Sequence, residues 1–426
     1  MSRSLRSLHD LKPSGFKQIG HIPVDWKVIK TSRIFKIGMG ETILKENLID
    51  DGKYPVYSAT EEDVNFGYVN EPKLILKPGD LVLPARGNSI GFVKLVKEES
   101  TTTQTTIYCK KRNTTEIIPK YIYYYMVGLK DYLFWFTQTA IPQITVDEVS
   151  SNPLLIPPLA EQKLIVDFLD RETAKIDELI QKQEKLIEFL EEKKHISILE
   201  VMSSGLNKTT SYNESTSIFW AKKIPKHWGQ FRAKFIFEIK KRIAGELGYK
   251  VLSITQRGIK VKDTESNEGQ LSMDYSKYQI VEPGDFAMNH MDLLTGYVDI
   301  SSELGVTSPD YRVFSIRDEK RFFPEFYLLI LQLCYKSKLF YPFGQGAAQL
   351  GRWRLPTDAF NNFIFPVPPI SEQREICQVI SSKNKNYDAL ISKAEISVQL
   401  FKEHRASLIS AAVIGKIDVR NINNGN

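Results

Sequence analysis

The chain is poor in cysteine and histidine and has no long apolar run. Its three cysteines, Cys109, Cys334 and Cys377, lie far apart and form no Cys-x-x-Cys pair. That argues against a structural zinc site or a disulfide framework and fits a reducing, cytoplasmic setting. The six histidines are scattered, and none pairs at the spacing a helix needs to hold a metal. Without about 18 consecutive apolar residues there is no transmembrane helix and no membrane partner. The basic opening, residues 1–14, leads into no apolar core and so is not a secretory signal. A Gly-x-x-x-x-Gly-Lys-[Ser/Thr] loop for nucleotide phosphates is also missing. Net charge is low too, +6 over 426 residues, which permits a nucleic-acid partner without demanding one. Its distribution says more. Residues 160–203 hold seven Lys/Arg against eleven Asp/Glu, so the positive excess lies outside that segment.

The chain is written twice. Ile22-Pro23-Val24-Asp25-Trp26 returns as Ile224-Pro225-Lys226-His227-Trp228, and Lys77-Pro78-Gly79-Asp80 as Glu282-Pro283-Gly284-Asp285. Ile118-Pro119-Lys120-Tyr121 matches Phe323-Pro324-Glu325-Phe326, and Pro157-Pro158-Leu159-Ala160-Glu161-Gln162 matches Pro368-Pro369-Ile370-Ser371-Glu372-Gln373. The four anchors keep their order at offsets of 202, 205, 205 and 211 residues. A period that long means two domains of one fold, since solenoid repeats are far shorter. Apolar stretches such as residues 74–76, 80–83, 249–254 and 312–316, with Gly/Pro turns between them, read as strands. Short helices are expected after Pro119 and Pro324. Each unit is therefore an α+β domain.

A long helix follows each Pro-Pro pair. Ile176, Ile180, Ile187, Leu190 and Val201 mark an alternating four-three seam in the first, with Gln183, Lys194 and Ser197 at polar seam positions. Tyr387, Ile391, Ala394, Val398, Phe401, Leu408 and Ala412 mark the second, interrupted by Arg405. Such seams specify coiled-coil packing. Gly205 and Gly415 are suitable stops. Each helix is roughly 40 residues, about 60 Å. Residues 204–221 would have to span that distance, stretched taut at about 60–65 Å, if the helices ran parallel. The expectation is an antiparallel coiled coil joining two similar globular domains with pseudo-twofold symmetry. The divisions are residues 1–14 (arm), 15–157 (first domain), 158–204 (helix), 205–221 (linker), 222–367 (second domain), 368–415 (helix) and 416–426 (tail).

These residues resemble the DNA-specificity subunits of Type I restriction-modification systems. The likeness rests on the opening Ser14-Gly15 with Ile19-Gly20-His21-Ile22-Pro23-Val24-Asp25-Trp26, on each Pro-Pro-x-x-Glu-Gln leading into a helix, and on Leu408-Ile-Ser-Ala-Ala-Val-Ile-Gly-Lys-Ile-Asp418. It runs from about residue 14 to 420. The first helix departs from it, ending Val201-Met-Ser-Ser-Gly205-Leu-Asn207 without Gly-Lys-Ile-Asp. The resemblance implies two target recognition domains, each reading one half of a bipartite DNA sequence. The helices would space the halves and dock two methyltransferase (M) subunits, which methylate adenine with S-adenosylmethionine. Restriction/translocase (R) subunits would add ATP- and Mg-dependent translocation and cleavage. This chain itself would be noncatalytic and would hold no cofactor.

The residues agree with a noncatalytic role. An amino-methyltransferase carries Asn/Asp-Pro-Pro-aromatic; Asn152-Pro153-Leu154-Leu155 lacks the second proline and the aromatic and reads as a turn. Asp310 with Asp318-Glu319-Lys320 imitates the carboxylates and lysine of a metal-dependent nuclease. The first copy, however, has Gln104 and Thr105 opposite Pro309 and Asp310.

Candidate DNA contacts fall in two segments per unit, because Arg, Asn, Gln and His can match base edges or phosphates. After the Pro-Gly-Asp strands lie Arg86 and Asn88 in one copy and Asn289 and His290 in the other. Polar tips that differ on a shared frame suit two readers of different half-sites, or plain surface hairpins. The second segments hold Gln138 and Gln143 in one copy, and Gln345, Gln349, Arg352 and Arg354 in the other. The threonine-rich residues 100–106 read as a phosphate contact or an exposed edge strand. Trp26 and Trp228 read as core anchors. A coiled-coil scaffold that binds only proteins would leave the duplicated units unexplained.

Overall fold

In the computed structural model, which describes residues 6–17, 19–61, 64–112, 116–134, 142–207, 209–214, 216–262, 275–346 and 353–420, both Pro-Gly-Asp segments are tight turns. Proline presets the first central residue, and glycine supplies a positive φ at the second, 94° at Gly79 and 93° at Gly284. Asp80 N–H donates to Lys77 O (2.9 Å) and Asp285 N–H to Glu282 O (3.0 Å). Each aspartate then accepts back, Asp80 from the N–H of Lys77 and Lys111, Asp285 from that of Glu282 (2.8 Å each). A turn held at both ends in this way delivers its chain straight into a strand.

The chain divides into two compact units. The first comprises residues 1–185 with 394–426, the second residues 186–393. In the first unit, β1 (Lys27–Lys30) and β2 (Phe35–Met39) are followed by β3 (Leu81–Pro84), β4 (Lys94–Leu95) and β5 (Thr106–Lys111). Helix α1 (Pro119–Gly128), strand β6 (Pro153–Ile156) and the long helix α2 (Leu159–Ser204), up to residue 185, complete the series. The sheet order is β2-β5-β3-β4, with β1 and β6 paired separately. All pairs are antiparallel.

The second unit repeats this topology. Strands β7 (Gly229–Arg232), β8 (Phe237–Lys240), β9 (Phe286–Met288), β10 (Val298–Ile300) and β11 (Arg312–Ile316) precede helix α3 (Pro324–Lys336), strand β12 (Ile364–Val367) and the second long helix, α4 (Ile370–Val413), whose residues from 394 on belong to the first unit. The sheet order is β8-β11-β9-β10, with β7 paired to β12. The units differ between the shared strands. The first carries a three-stranded sheet of Tyr54–Tyr57, Gly67–Val69 and Thr101–Thr102; the second carries a hairpin, Leu252–Thr255 with Gly258–Val261, and a separate antiparallel pair, Gln279–Val281 with Gly305–Thr307.

Within each unit the long helices pack antiparallel. In the first, Arg405 grips Asp177 with two hydrogen bonds (2.8 and 3.2 Å), and Lys402 meets Glu184 (3.6 Å). Arg405 interrupts the apolar seam because it pairs with a carboxylate on the facing helix. In the second unit Lys194 bonds Asp388 (2.5 Å) and Lys383 bonds Ser197 (3.4 Å). Partner numbers fall as α2 numbers rise, which defines the antiparallel sense. Ile176, Ile180, Val201, Ala394, Val398 and Leu408 are buried, and the intervening seam residues half-buried.

The repeated anchors converge at the helix starts. The indole of Trp26 donates to Glu161 (3.1 Å) and that of Trp228 to Glu372 (3.0 Å). Gln162 accepts from Ile118 N–H (3.0 Å) and donates to Pro157 O (3.0 Å); Gln373 does the same with Phe323 (2.7 Å) and Pro368 (2.8 Å). One amide thereby closes two chain ends that no regular structure satisfies. Both tryptophans are buried, as the core-anchor reading expects.

Three expectations are corrected. Residues 100–106 are neither exposed nor available to phosphate, apart from the half-buried Gln104 and Thr105 at the turn. Thr101 and Thr102 pair in parallel with Val56 and Tyr57, and Thr101 donates to Glu41 (2.6 Å). Of residues 74–76 only Leu76 makes a bridge, to Ser100, so no strand forms there. Pro153 starts β6 rather than a turn; the preceding Asn152 caps the short helix Val146–Ser151, and its side-chain amide donates to Leu133 O (2.8 Å). Among the described residues no helix is long and apolar enough to cross a membrane.

Candidate nucleic-acid interface

In both units the loop leaving the Pro-Gly-Asp strand is paired with the second candidate segment, although the two are far apart in sequence. In the first unit Ile144 N–H donates to Ala85 O and Gly87 N–H to Pro142 O (2.9 Å each), which sets Arg86 opposite Gln143. Arg86, Asn88 and Gln143 are all exposed. Gln138 lies outside the described residues.

In the second unit Leu355 N–H donates to His290 O (2.8 Å) and Leu293 N–H to Trp353 O (2.9 Å). Gln345 and Arg354 exchange both backbone hydrogen bonds (2.8 and 3.0 Å), and both side chains are exposed. Trp353 donates its indole N–H to Tyr341 O (2.8 Å), which ties residue 353 to the chain before this pair. Gln349 and Arg352 fall outside the described residues. Asn289 and His290 are half-buried. Asn289 uses its side chain on Met291 N–H (3.3 Å), and its carbonyl accepts from the Tyr335 hydroxyl (2.6 Å).

The two tips differ in charge state as well as sequence. Burial, then the nearby Arg312, holds the His290 imidazole down to about 3, so it is neutral at neutral pH and offers hydrogen bonds but no positive charge. Its Nδ1 has no partner. Arg312 itself, buried at the start of β11, is pushed down to about 10 by desolvation. Arg312 was missed in the sequence because it looked like the edge of an ordinary strand. The signal was available, since the first copy has Ile107 at the 205-residue offset.

The carboxylate that imitates a nuclease residue is engaged locally. The Asp318 carboxylate accepts from Lys320 N–H (3.0 Å) within its own turn. Among the described residues no three His, Cys, Asp or Glu stand together as a metal site. Cys109 and Cys334 are buried, and burial raises both thiols far from reactivity. The loops present guanidinium and amide side chains on a backbone held by hydrogen bonds.

The chain is a duplicated α+β unit with paired helices and two polar loop segments in each copy. Residues 23–188 and again 225–398 match the family described as Type I restriction modification DNA specificity domain, and the chain belongs to that family. It is a specificity subunit with two target recognition domains. The chain is similar to the Type I restriction enzyme MjaVIII specificity subunit of Methanocaldococcus jannaschii, at 24% identity over 448 residues, spanning 97% of this chain and 98% of that one. The Type I restriction enzyme EcoDI specificity subunit of Escherichia coli is 23% identical over 246 residues, 54% of this chain and 53% of its own. A chain from a structure described as the basis of complex assembly and conformational transition of the type I R-M system has a TM-score of 0.62 over 92% of this chain and 98% of its own. At 12% identity that likeness speaks to the fold alone.

Proposed function

We propose that this chain reads a bipartite DNA sequence, one half per target recognition domain, and directs adenine methylation and restriction carried out by partner subunits in the cytoplasm. The observation that carries the reading is the pairing of reading loops on a repeated frame: Arg86, Asn88 and Gln143 in one unit, Asn289, His290, Gln345 and Arg354 in the other. The frames agree while the polar tips differ, as two half-sites of different sequence require. Gln138, Gln349 and Arg352 belong to the same two segments by sequence. The chain contributes no catalytic group. S-adenosylmethionine, ATP and Mg are used by the methyltransferase and restriction/translocase subunits.

Exposed apolar side chains support docking on the helices. Leu179, Ile396 and Leu400 stand out from the first unit, and Leu186, Phe189, Ile196 and Leu390 from the second. Grouped on the helix faces, such residues would give a partner an apolar surface to cover.

A genome-wide map of adenine methylation, with and without the gene, tests the reading. A two-part motif with a fixed gap should be methylated in the parent and bare in the deletion. Exchanging residues 15–155 and 222–366 with those of another subunit should change one half of the motif each. An unchanged map with the gene expressed beside its neighbours, and no complex formed with their methyltransferase subunits, would refute it.

A further inference from the structure

Arg312 is only 4% exposed, yet no carboxylate faces it among the described residues. It donates to Leu355 O (3.0 Å) and Thr357 Oγ1 (3.4 Å), stacks 4.7 Å over Phe360, and leaves Nη1 without a partner. A buried cation with no counter-charge is costly. The fold does not ask for it: Arg312 stands opposite Met288 as Ile107 stands opposite Leu83, and Ile107 is fully buried. One half of the molecule therefore carries an aliphatic side chain where the other carries a guanidinium with no facing carboxylate.

The position of that guanidinium is informative. Leu355 accepts from Arg312 and itself donates to the carbonyl of His290 (2.8 Å), so one carbonyl and one amide link the sheet to both reading loops of the second unit. Arg354, the neighbour of Leu355, is the exposed residue paired with Gln345. The charge thus lies behind the surface on which a DNA strand would rest, where solvent ions screen it little.

We propose that Arg312 is a positioning residue for the second half-site, bracing residues 289–290 against 354–355 and supplying a fixed positive charge that is compensated when a duplex lies over the loops. This rests on the DNA-reading function given above. The cost is borne in the free protein and offset in the complex. Stability and recognition should therefore respond to the same substitution in opposite directions.

The test uses the full chain assembled with its methyltransferase subunits. The ligands are a duplex carrying the motif read from the parent's methylation map and duplexes with either half scrambled. Arg312→Met should melt no lower than the wild type but bind the intact duplex about tenfold more weakly, or worse. It should also lose discrimination against a scrambled second half and keep it against a scrambled first half. Arg312→Lys, which keeps the charge but not the fork, should show a smaller loss confined to the second half, and it serves alone if the methionine variant does not assemble. Ile107→Met should change neither half. Unaltered affinity and discrimination would overturn the proposal. So would a lowered melting temperature with equal losses at both halves, which marks a folding role. A wild-type complex that prefers neither half would remove the DNA-reading function and this inference with it.

Discussion

Trp26 donates its indole N–H to Glu161 across 3.1 Å, joining the first and last anchors of the first unit over 135 residues. Trp228 and Glu372 repeat the contact at 3.0 Å. The two glutamates have different second partners. Glu161 also takes the guanidinium of Arg6, which is 8% exposed, whereas Glu372 takes the exposed His227 at 2.8 Å. Glu161→Ala should cost about 2–4 kcal/mol, because it removes the carboxylate paired with a buried cation and leaves only the more distant Asp10, Asp25 and Asp418 to offset it. Glu372→Ala should cost only about 1–2 kcal/mol. Denaturant unfolding of both variants checks the inequality; equal losses would refute it.

Acid should weaken the second unit. The His290 ring is held neutral when folded, at about 3 against an ordinary value of 6.5. Its contribution is present above pH 6.5 and is lost as pH falls from there towards 3, because only the unfolded chain takes up the proton in that window. Between pH 7.5 and 5 the loss should reach about 2 kcal/mol. Unfolding curves of the wild type and His290→Gln, taken at both pH values, should differ in slope with pH. Parallel curves would show that His290 does not titrate as described.

Removing one reading arginine should damage one half-site. Arg86→Ala should weaken recognition of the first half and Arg354→Ala that of the second, each by about 10–100-fold if the fork meets a guanine. If the contact is to phosphate, binding should weaken for all sequences and the salt slope should fall by about one. Arg352→Ala carries the same expectation for the second half. Titrations at two salt concentrations with half-scrambled duplexes separate the two contacts.

Assembly should fail before folding does when the outer helix faces are charged. Phe189 is 52% exposed and Leu400 58%, so Phe189→Lys and Leu400→Lys should leave the melting temperature within about 0.5 kcal/mol equivalent of the wild type. Co-purification with the methyltransferase subunits should drop sharply. Full recovery of the complex in both variants would place the partner elsewhere.

Much of the architecture was legible because it is written in local rules and written twice. Pro-Gly-Asp can make only a few turns, Pro119 and Pro324 preset a helix start, and the four-three seams of residues 176–201 and 387–412 name their own buried face. The misreadings occurred where tertiary contact overrides composition. The threonines at 101 and 102 look like a polar edge, but parallel pairing with Val56 and Tyr57 buries their backbone while Glu41 satisfies a hydroxyl. The candidate site was legible as two segments per unit but not as one surface. Nothing in residues 85–88 specifies that they pair with 142–144.

The sequence by itself determined the duplication, the α+β class of each unit, the two long helices and the antiparallel sense that an eighteen-residue linker imposes. Each follows from spacing along the chain, which short-range stereochemistry converts directly into structure. Only the tertiary structure decided that Glu161 and Glu372 clasp the two tryptophans, that Arg405 answers Asp177, and that His290 is neutral beside a buried Arg312. Those facts depend on which distant groups share a dehydrated space. Burial and charge pairing act through space, and the order of residues does not specify distance in space.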